Sequence, residues 1–149
     1  VSIQADILNL LRGLQRDLGL TFLFISHDLS VIAHTCDIVA VMYLGRIVEM
    51  APKRKLFTMP RHPYTQALFS AIPSLDPAAR KSAIKLEGEI PSPSNPPSGC
   101  TFHTRCRFAQ DRCKAEAPVL LSRNGDHRVA CHFDQDIADG KLAAHGALS

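Results

Sequence analysis

The chain has 149 residues, 46% of them hydrophobic, and a formal net charge of +3. That length suits one ordinary domain, or a small domain with an appendage. The charge by itself calls for neither nucleic acid nor an anionic membrane surface, and no apolar run approaches bilayer-spanning length. Apolar residues are dense from Ile3 to Ile72 and thin after Pro73, which predicts a globular first half and a looser, locally braced second half. The opening Val1-Ser2-Ile3-Gln4 has no initiator Met and no basic-then-apolar signal segment, so the chain reads as a portion of a longer protein.

In chain order, Ser2 can cap a helix whose Ile3, Ile7, Leu10, Leu11, Leu14 and Leu18 share one face, and Gly19 is a natural stop. Thr21–Ile25 is a continuous β-prone apolar run, the pattern of a strand buried on both faces of a parallel sheet. Asp28 can cap a short helix from Leu29 to about His34. A second strand is expected from Ile38 to Tyr43, a turn at Leu44-Gly45-Arg46, and an antiparallel return at Ile47-Val48-Glu49. Lys53–Phe57 reads as a short helix ended by Pro60. Pro63 opens another, from Tyr64 to about Ile72.

Prolines 73, 77, 91, 93, 96 and 97, with serines among them, mark an extended linker that cannot form regular ladders. Four of the five cysteines follow, and a tail rich in Ala, Gly and Asp is expected to fray. The order helix, parallel-type strand, helix, strand, hairpin is the closing part of an α/β domain. Its first helix implies a parallel strand ahead of it.

His27 falls at the carboxyl end of the first apolar run, the edge where open α/β sheets bind ligands. An imidazole there can donate to a terminal phosphate and help place a water. Ser26 and Asp28 alone would simply make a turn with His27 exposed. The stretch Leu23-Phe24-Ile25-Ser26-His27-Asp28-Leu29 resembles the switch-histidine segment of ATP-binding cassette (ABC) ATPases. Val1–Leu11 looks like the helix after that family's D-loop. Asp37–Met42 and Gly45–Glu49 are similar to its closing strands, with Ala51 where many members have Gly. The resemblance implies that His27 contacts the γ-phosphate of ATP, with Mg2+, at a dimer interface. No phosphate loop, no Leu-Ser-Gly-Gly-Gln signature and no strand ending in the Asp-Glu pair occurs here. These residues alone are therefore not expected to hydrolyse ATP, although the parent is expected to be a transport ATPase.

Arg61-His62-Pro63-Tyr64-Thr65-Gln66-Ala67-Leu68 resembles the opening of the C-terminal extension of peptide- and nickel-importer ATPases. Its own chemistry is ordinary: Pro63 fixes a helix start, and His62 reads as a turn or capping residue.

Cys100, Cys106, Cys113 and Cys131 are spaced C-x5-C-x6-C-x17-C, with no C-x-x-C pair. Zinc-finger and zinc-ribbon spacings are not met. Without a secretion signal, metal ligation is favoured over disulfides. Four thiolates suit tetrahedral Zn2+ or a 4Fe-4S cluster. Arg105, Arg107, Arg112, Lys114, Arg123 and Arg128 could offset the negative charge of a ligated cluster. Pro91-Ser92-Pro93 and Asn95–Cys106 resemble the cysteine segment of peptide-importer ATPases. That likeness implies a 4Fe-4S cluster on these four cysteines, with Zn2+ as the alternative. His103, His127 and His132 could substitute as ligands, and the lone Cys36 reads as a small packed apolar residue.

The expected fold is α/β: the closing part of an ABC-type parallel sheet with a C-terminal extension holding a four-cysteine metal module. The expected divisions are residues 1–59 for the ATPase portion, 60–73 for the His-Pro-Tyr helix, 74–99 for the linker, 100–133 for the cysteine module and 134–149 for a flexible tail. The resemblance implies an energy-coupling subunit for dipeptide or oligopeptide import, peripheral on the cytoplasmic face of the bacterial inner membrane. Its expected partners are a second ATPase subunit, transmembrane permeases and, indirectly, a peptide-binding protein, with no nucleic acid. A reading of another class is a non-enzymatic zinc or iron–sulfur module that contacts nucleic acid through its arginines.

Overall fold

The computed structural model describes residues 3–72 and 83–145. The cap expected at Ser2 and the linker prolines Pro73 and Pro77 lie outside those residues. Helix α1 spans Ile3–Leu18. Gly19 ends it at φ 64°, and the Leu20 N–H reaches back to the Gln15 carbonyl at 3.1 Å, the paired geometry of a Schellman stop. None of its residues is buried. Ile3, Ile7, Leu10 and Leu18 each expose more than half their surface, so the apolar stripe has no cover among the described residues.

The expected parallel strand Thr21–Ile25 does not form. The segment joins no ladder. Phe22 and Phe24 are half-buried, their ring centroids 5.8 Å apart, while Leu23 is 89% and Ile25 93% exposed. A strand buried on both faces needs hydrogen-bonding neighbours and two covering layers. The described residues supply one packing face and no neighbour. The parallel sheet is corrected accordingly: every strand pair among the described residues is antiparallel.

Helix α2 covers Leu29–Thr35, capped as expected by Asp28, whose Oδ1 accepts from Ser30 N–H at 2.9 Å and Val31 N–H at 3.4 Å. Strand β1, Ile38–Tyr43, alternates as a half-buried strand should, with Val39, Val41 and Tyr43 inward. Leu44 (φ 46°) and Gly45 (φ 76°) make the two-residue turn with both φ positive that matches strand twist. Strand β2 returns over Arg46–Pro52, longer than the three residues expected. The register slips between Val41↔Glu49 and Met42↔Ile47. This bulge leaves Val48 and Glu49 buried in succession.

Helices α3 (Lys53–Thr58) and α4 (Pro63–Ser70) follow where the sequence placed them. Residues 83–99 contain no helix or strand. A 3-10 turn, His103–Arg105, and helix α5, Asp111–Ala115, precede the hairpin β3 (Leu121–Asn124) and β4 (His127–Val129). The sheet order is β1-β2-β4-β3, with Glu49 opposite Val129 and Met50 opposite Arg128.

That pairing makes the two halves one body. The central cluster of Ile32, Val39, Val41, Tyr43, Val48, Ala51 and Leu56 includes Phe102 from the cysteine region, 1% exposed. Phe102 meets Tyr43 edge-on at 5.1 Å and Tyr64 at 5.4 Å. The looser second half read from composition is therefore corrected: Phe102, Phe108, Cys113, Val129 and Ala130 are buried. Asp134–Ala138 forms helix α6, with Asp134 buried between cations. Farther along, the His145 N–H donates to the Arg107 carbonyl at 2.7 Å.

Candidate functional site

Cys100, Cys106, Cys113 and Cys131 all line one cavity. Its centre admits about one water molecule, and the free space between atoms, mouth included, is about 340 Å³. The walls also carry His62, Phe102, His103, Phe108, His132 and Phe133. The five cysteines are all free thiols. Among the described residues, no three His, Cys, Asp or Glu side chains stand close enough to hold a single metal ion between them.

Local chain geometry brings the four sulfurs to this place. Gly99, at φ 66°, lets the backbone cross the end of α5. A Cβ there would lie 2.4 Å from the Cys113 carbonyl oxygen and 2.7 Å from that of Lys114. The next N–H, that of Cys100, donates to the Cys113 carbonyl at 2.8 Å. His103 Nδ1 turns back to the Cys100 carbonyl at 2.8 Å. His132 Nε2 reaches the Glu116 carbonyl at 2.9 Å, which ties the segment after Cys131 to the end of α5.

Three of the four cysteines share a short pattern that the sequence reading did not single out: Cys100-Thr101-Phe102, Cys106-Arg107-Phe108 and Cys131-His132-Phe133. In the last of them the phenylalanine N–H lies 3.4 Å from Cys131 Sγ. All three phenylalanines line the cavity. Cys113 has Ala115 at the same offset.

Burial pushes the Cys100 thiol up, and pushes those of Cys106 and Cys131 up to about 12, while the phenylalanine N–H groups pull each back down. The cysteines also raise one another: Cys113 acts on Cys100, and Cys100 on both Cys106 and Cys131. Such thiols ionise when positive charge is placed among them.

The His-Pro-Tyr segment frames the cavity. His62, 1% exposed, caps α4 by accepting the Tyr64 N–H on Nδ1 at 3.1 Å, the capping role its sequence suggested. Burial drives its imidazole down to about 3.

Two buried carboxylates, neither marked by the sequence reading, complete the frame. Glu49 accepts from Arg61 N–H at 2.8 Å and His62 N–H at 3.0 Å, and its Oε1 lies 2.7 Å from His127 Nε2. Asp134 faces Arg61 at 3.2 Å and Arg123 at 2.8 Å. Asp134 Oδ1 has no well-aligned hydrogen bond, so the Arg123 contact is ionic. Arg123 also donates to the Cys131 carbonyl at 3.3 Å. The only signal for either acid was an unpaired-looking carboxylate inside an apolar strand or just after a Cys-x-Phe unit.

The arginines suggested as cluster counter-charges are partly engaged elsewhere. Arg112 pairs with Glu116 at 2.8 Å, and Arg107 lies 4.9 Å over the Phe108 ring. Of the substitute ligands, His103 and His132 line the cavity, while His127 is held by Glu49. Cys36 sits apart at the end of α2, half-buried against the core.

His27 is exposed at the bend before α2, outside the cysteine cavity. The neighbouring Ser26 Oγ accepts the Asp28 N–H at 3.0 Å. No helix among the described residues is long and apolar enough to cross a membrane.

Residues 48–113 match the family described as oligopeptide/dipeptide transporter, C-terminal region. The whole chain is 57% identical to a probable peptide ABC transporter ATP-binding protein of Sinorhizobium fredii, covering 42% of that protein. It is 54% identical over 137 residues, 91% of this chain, to the dipeptide transport ATP-binding protein DppF of Escherichia coli, covering 41% of it. It is 50% identical over 135 residues, 89% of this chain, to the oligopeptide transport ATP-binding protein AppF of Bacillus subtilis, again 41% of that protein. The chain thus spans well under half the length of these relatives. By sequence it belongs to the ATP-binding proteins of peptide ABC transporters and carries their C-terminal region.

Proposed function

We propose that this chain is the sheet-closing and C-terminal part of an ATP-hydrolysing subunit that powers uptake of dipeptides or oligopeptides, and that its four cysteines hold a 4Fe-4S cluster. The observation that carries the cluster reading is the convergence of all four cysteines on one walled cavity. A tetrahedral zinc site needs its ligands within one ion's bonding radius. A cluster separates its thiolates farther. Cys100, Cys106, Cys113 and Cys131 would be the ligands, and the cluster would supply cross-linking between α5 and the two flanking loops. The functional divisions proposed are residues 1–59 as the ATPase portion, 60–73 as the helix that frames the cavity, 74–99 as the connection and 100–133 as the cluster module.

His27 is the residue proposed to act on nucleotide. It is exposed and follows a segment whose Leu23 and Ile25 are uncovered. An exposed imidazole can donate to a terminal phosphate and orient a water. ATP with Mg2+ would be held by phosphate-loop and carboxylate residues of the ATPase, which this stretch does not contain. The partners are then a second ATPase subunit, a pair of transmembrane permeases and, through them, a peptide-binding protein. The subunit is peripheral on the cytoplasmic face of the bacterial inner membrane.

The nucleic-acid reading is weaker, since Arg61 and Arg123 face a buried Asp134 and Arg112 pairs with Glu116. The discriminating experiment is peptide-stimulated ATP hydrolysis and uptake by the assembled transporter in vesicles. His27→Ala should lower hydrolysis on the order of a hundredfold, the usual worth of a positioned proton-transfer group. Hydrolysis at the parent rate would refute the assignment.

A further inference from the structure

We propose that Phe102, Phe108 and Phe133, each two residues after a cysteine, are positioning residues that set the redox behaviour of the metal group bound at Cys100, Cys106, Cys113 and Cys131. This rests on the cluster reading above, and it assigns the three Cys-x-Phe units a task beyond ligation.

Each unit places a phenylalanine and its cysteine on the lining of one cavity. In the unit at Cys131 the phenylalanine N–H also lies 3.4 Å from its own cysteine's sulfur. The three walls are not equivalent. Phe102 is locked among Tyr43, His62 and Tyr64. Phe108 is buried under the Arg107 guanidinium. Phe133 is half-buried, the most exposed of the three.

The physical consequence has a definite sign. One-electron reduction makes a thiolate-ligated iron–sulfur cluster more negative. Apolar walls that keep water away disfavour the added charge and hold the reduction potential low. Hydrogen bonds to sulfur work in the opposite direction. A Phe→Ala change keeps the N–H and removes only the ring. It therefore isolates the wall from the hydrogen bond: the potential should rise, and oxygen should reach the cluster faster.

The test uses the intact chain loaded anaerobically with iron and sulfide, in wild type, Phe108→Ala, Phe133→Ala and the conservative Phe133→Leu. Three quantities are read: the midpoint potential by dithionite titration, the electron paramagnetic resonance spectrum of the reduced cluster, and the rate of bleaching in air. Both alanine variants should retain the cluster type, shift the midpoint upward and bleach several-fold faster, with Phe133→Ala the faster to bleach and Phe133→Leu close to wild type. Loaded variants with unchanged potential and bleaching would overturn this inference and leave the cluster reading standing. Wild type that takes up no cluster while all four thiols are reduced would overturn both.

Discussion

Glu49 is the side chain whose removal should cost this fold most for its size. It is fully buried and serves three donors: the N–H groups of Arg61 and His62 at 2.8 and 3.0 Å, and His127 Nε2 at 2.7 Å. Glu49→Ala leaves all three without an acceptor in a place water does not reach. An unsatisfied buried donor costs about 1–3 kcal/mol. Some relaxation at the loop before α4 will recover part of the sum, so the expected loss is about 4 kcal/mol. That is a large fraction of the roughly 5–15 kcal/mol that holds a domain together. Glu49→Gln keeps one acceptor oxygen but points an NH2 at a donor, and should cost about 2 kcal/mol. Urea unfolding of the intact chain, followed by far-ultraviolet circular dichroism, gives the two values, and hydrogen exchange at the Arg61 and His62 amides gives the local effect. A Glu49→Ala loss below about 1 kcal/mol, with those two amides still protected, would refute the three-way clamp.

Gly99→Ala should lower stability by about 3 kcal/mol, because a left-handed alanine costs about 1–2 kcal/mol and its Cβ would overlap the Cys113 and Lys114 carbonyls, forcing the α5 contact apart; thermal unfolding measures it. Burial lowers the His62 imidazole from 6.5 to about 3, so below 6.5 the unfolded chain takes up a proton that the folded chain refuses. Stability of the metal-free chain should therefore fall as pH drops from 6.5 towards 3, by up to about 1.4 kcal/mol per unit, and His62→Gln should flatten that slope in urea titrations. Cys113→Ser should leave residues 29–58 intact and expose 100–131 in the loaded protein, read by limited proteolysis; continued protection of 100–131 would count against metal bracing.

The local elements were readable because their causes are local. Asp28 as a cap, the Leu44-Gly45 turn, Pro63 at a helix start and the alternation of Ile38–Tyr43 each depend on neighbours within a few residues. The Thr21–Ile25 ladder was misread because an apolar run states only that it wants neighbours, not that they are at hand. The second half was misjudged for a related reason. Its order comes from few apolar residues placed well: Phe102 in the aromatic cluster, Val129 opposite Glu49, Asp134 between Arg61 and Arg123. Composition averages over such contacts, and the β2–β4 pairing joins residues about eighty apart. The four cysteines stood out by count and crowding. The carboxylate frame did not, since a Glu in a strand usually faces solvent and only the bulge at Val48 turns this one inward. The Cys-x-Phe units were visible in principle, as one spacing repeated at three of four cysteines.

The most direct test of the central claim is the iron and acid-labile sulfide bound per chain after anaerobic purification, alongside zinc, for wild type and for each single Cys→Ser variant at positions 100, 106, 113 and 131. Equal amounts of iron and sulfide, matching one cubane per chain, and a sharp loss in every variant are predicted. Zinc in place of iron, or iron binding indifferent to these four cysteines, would contradict it.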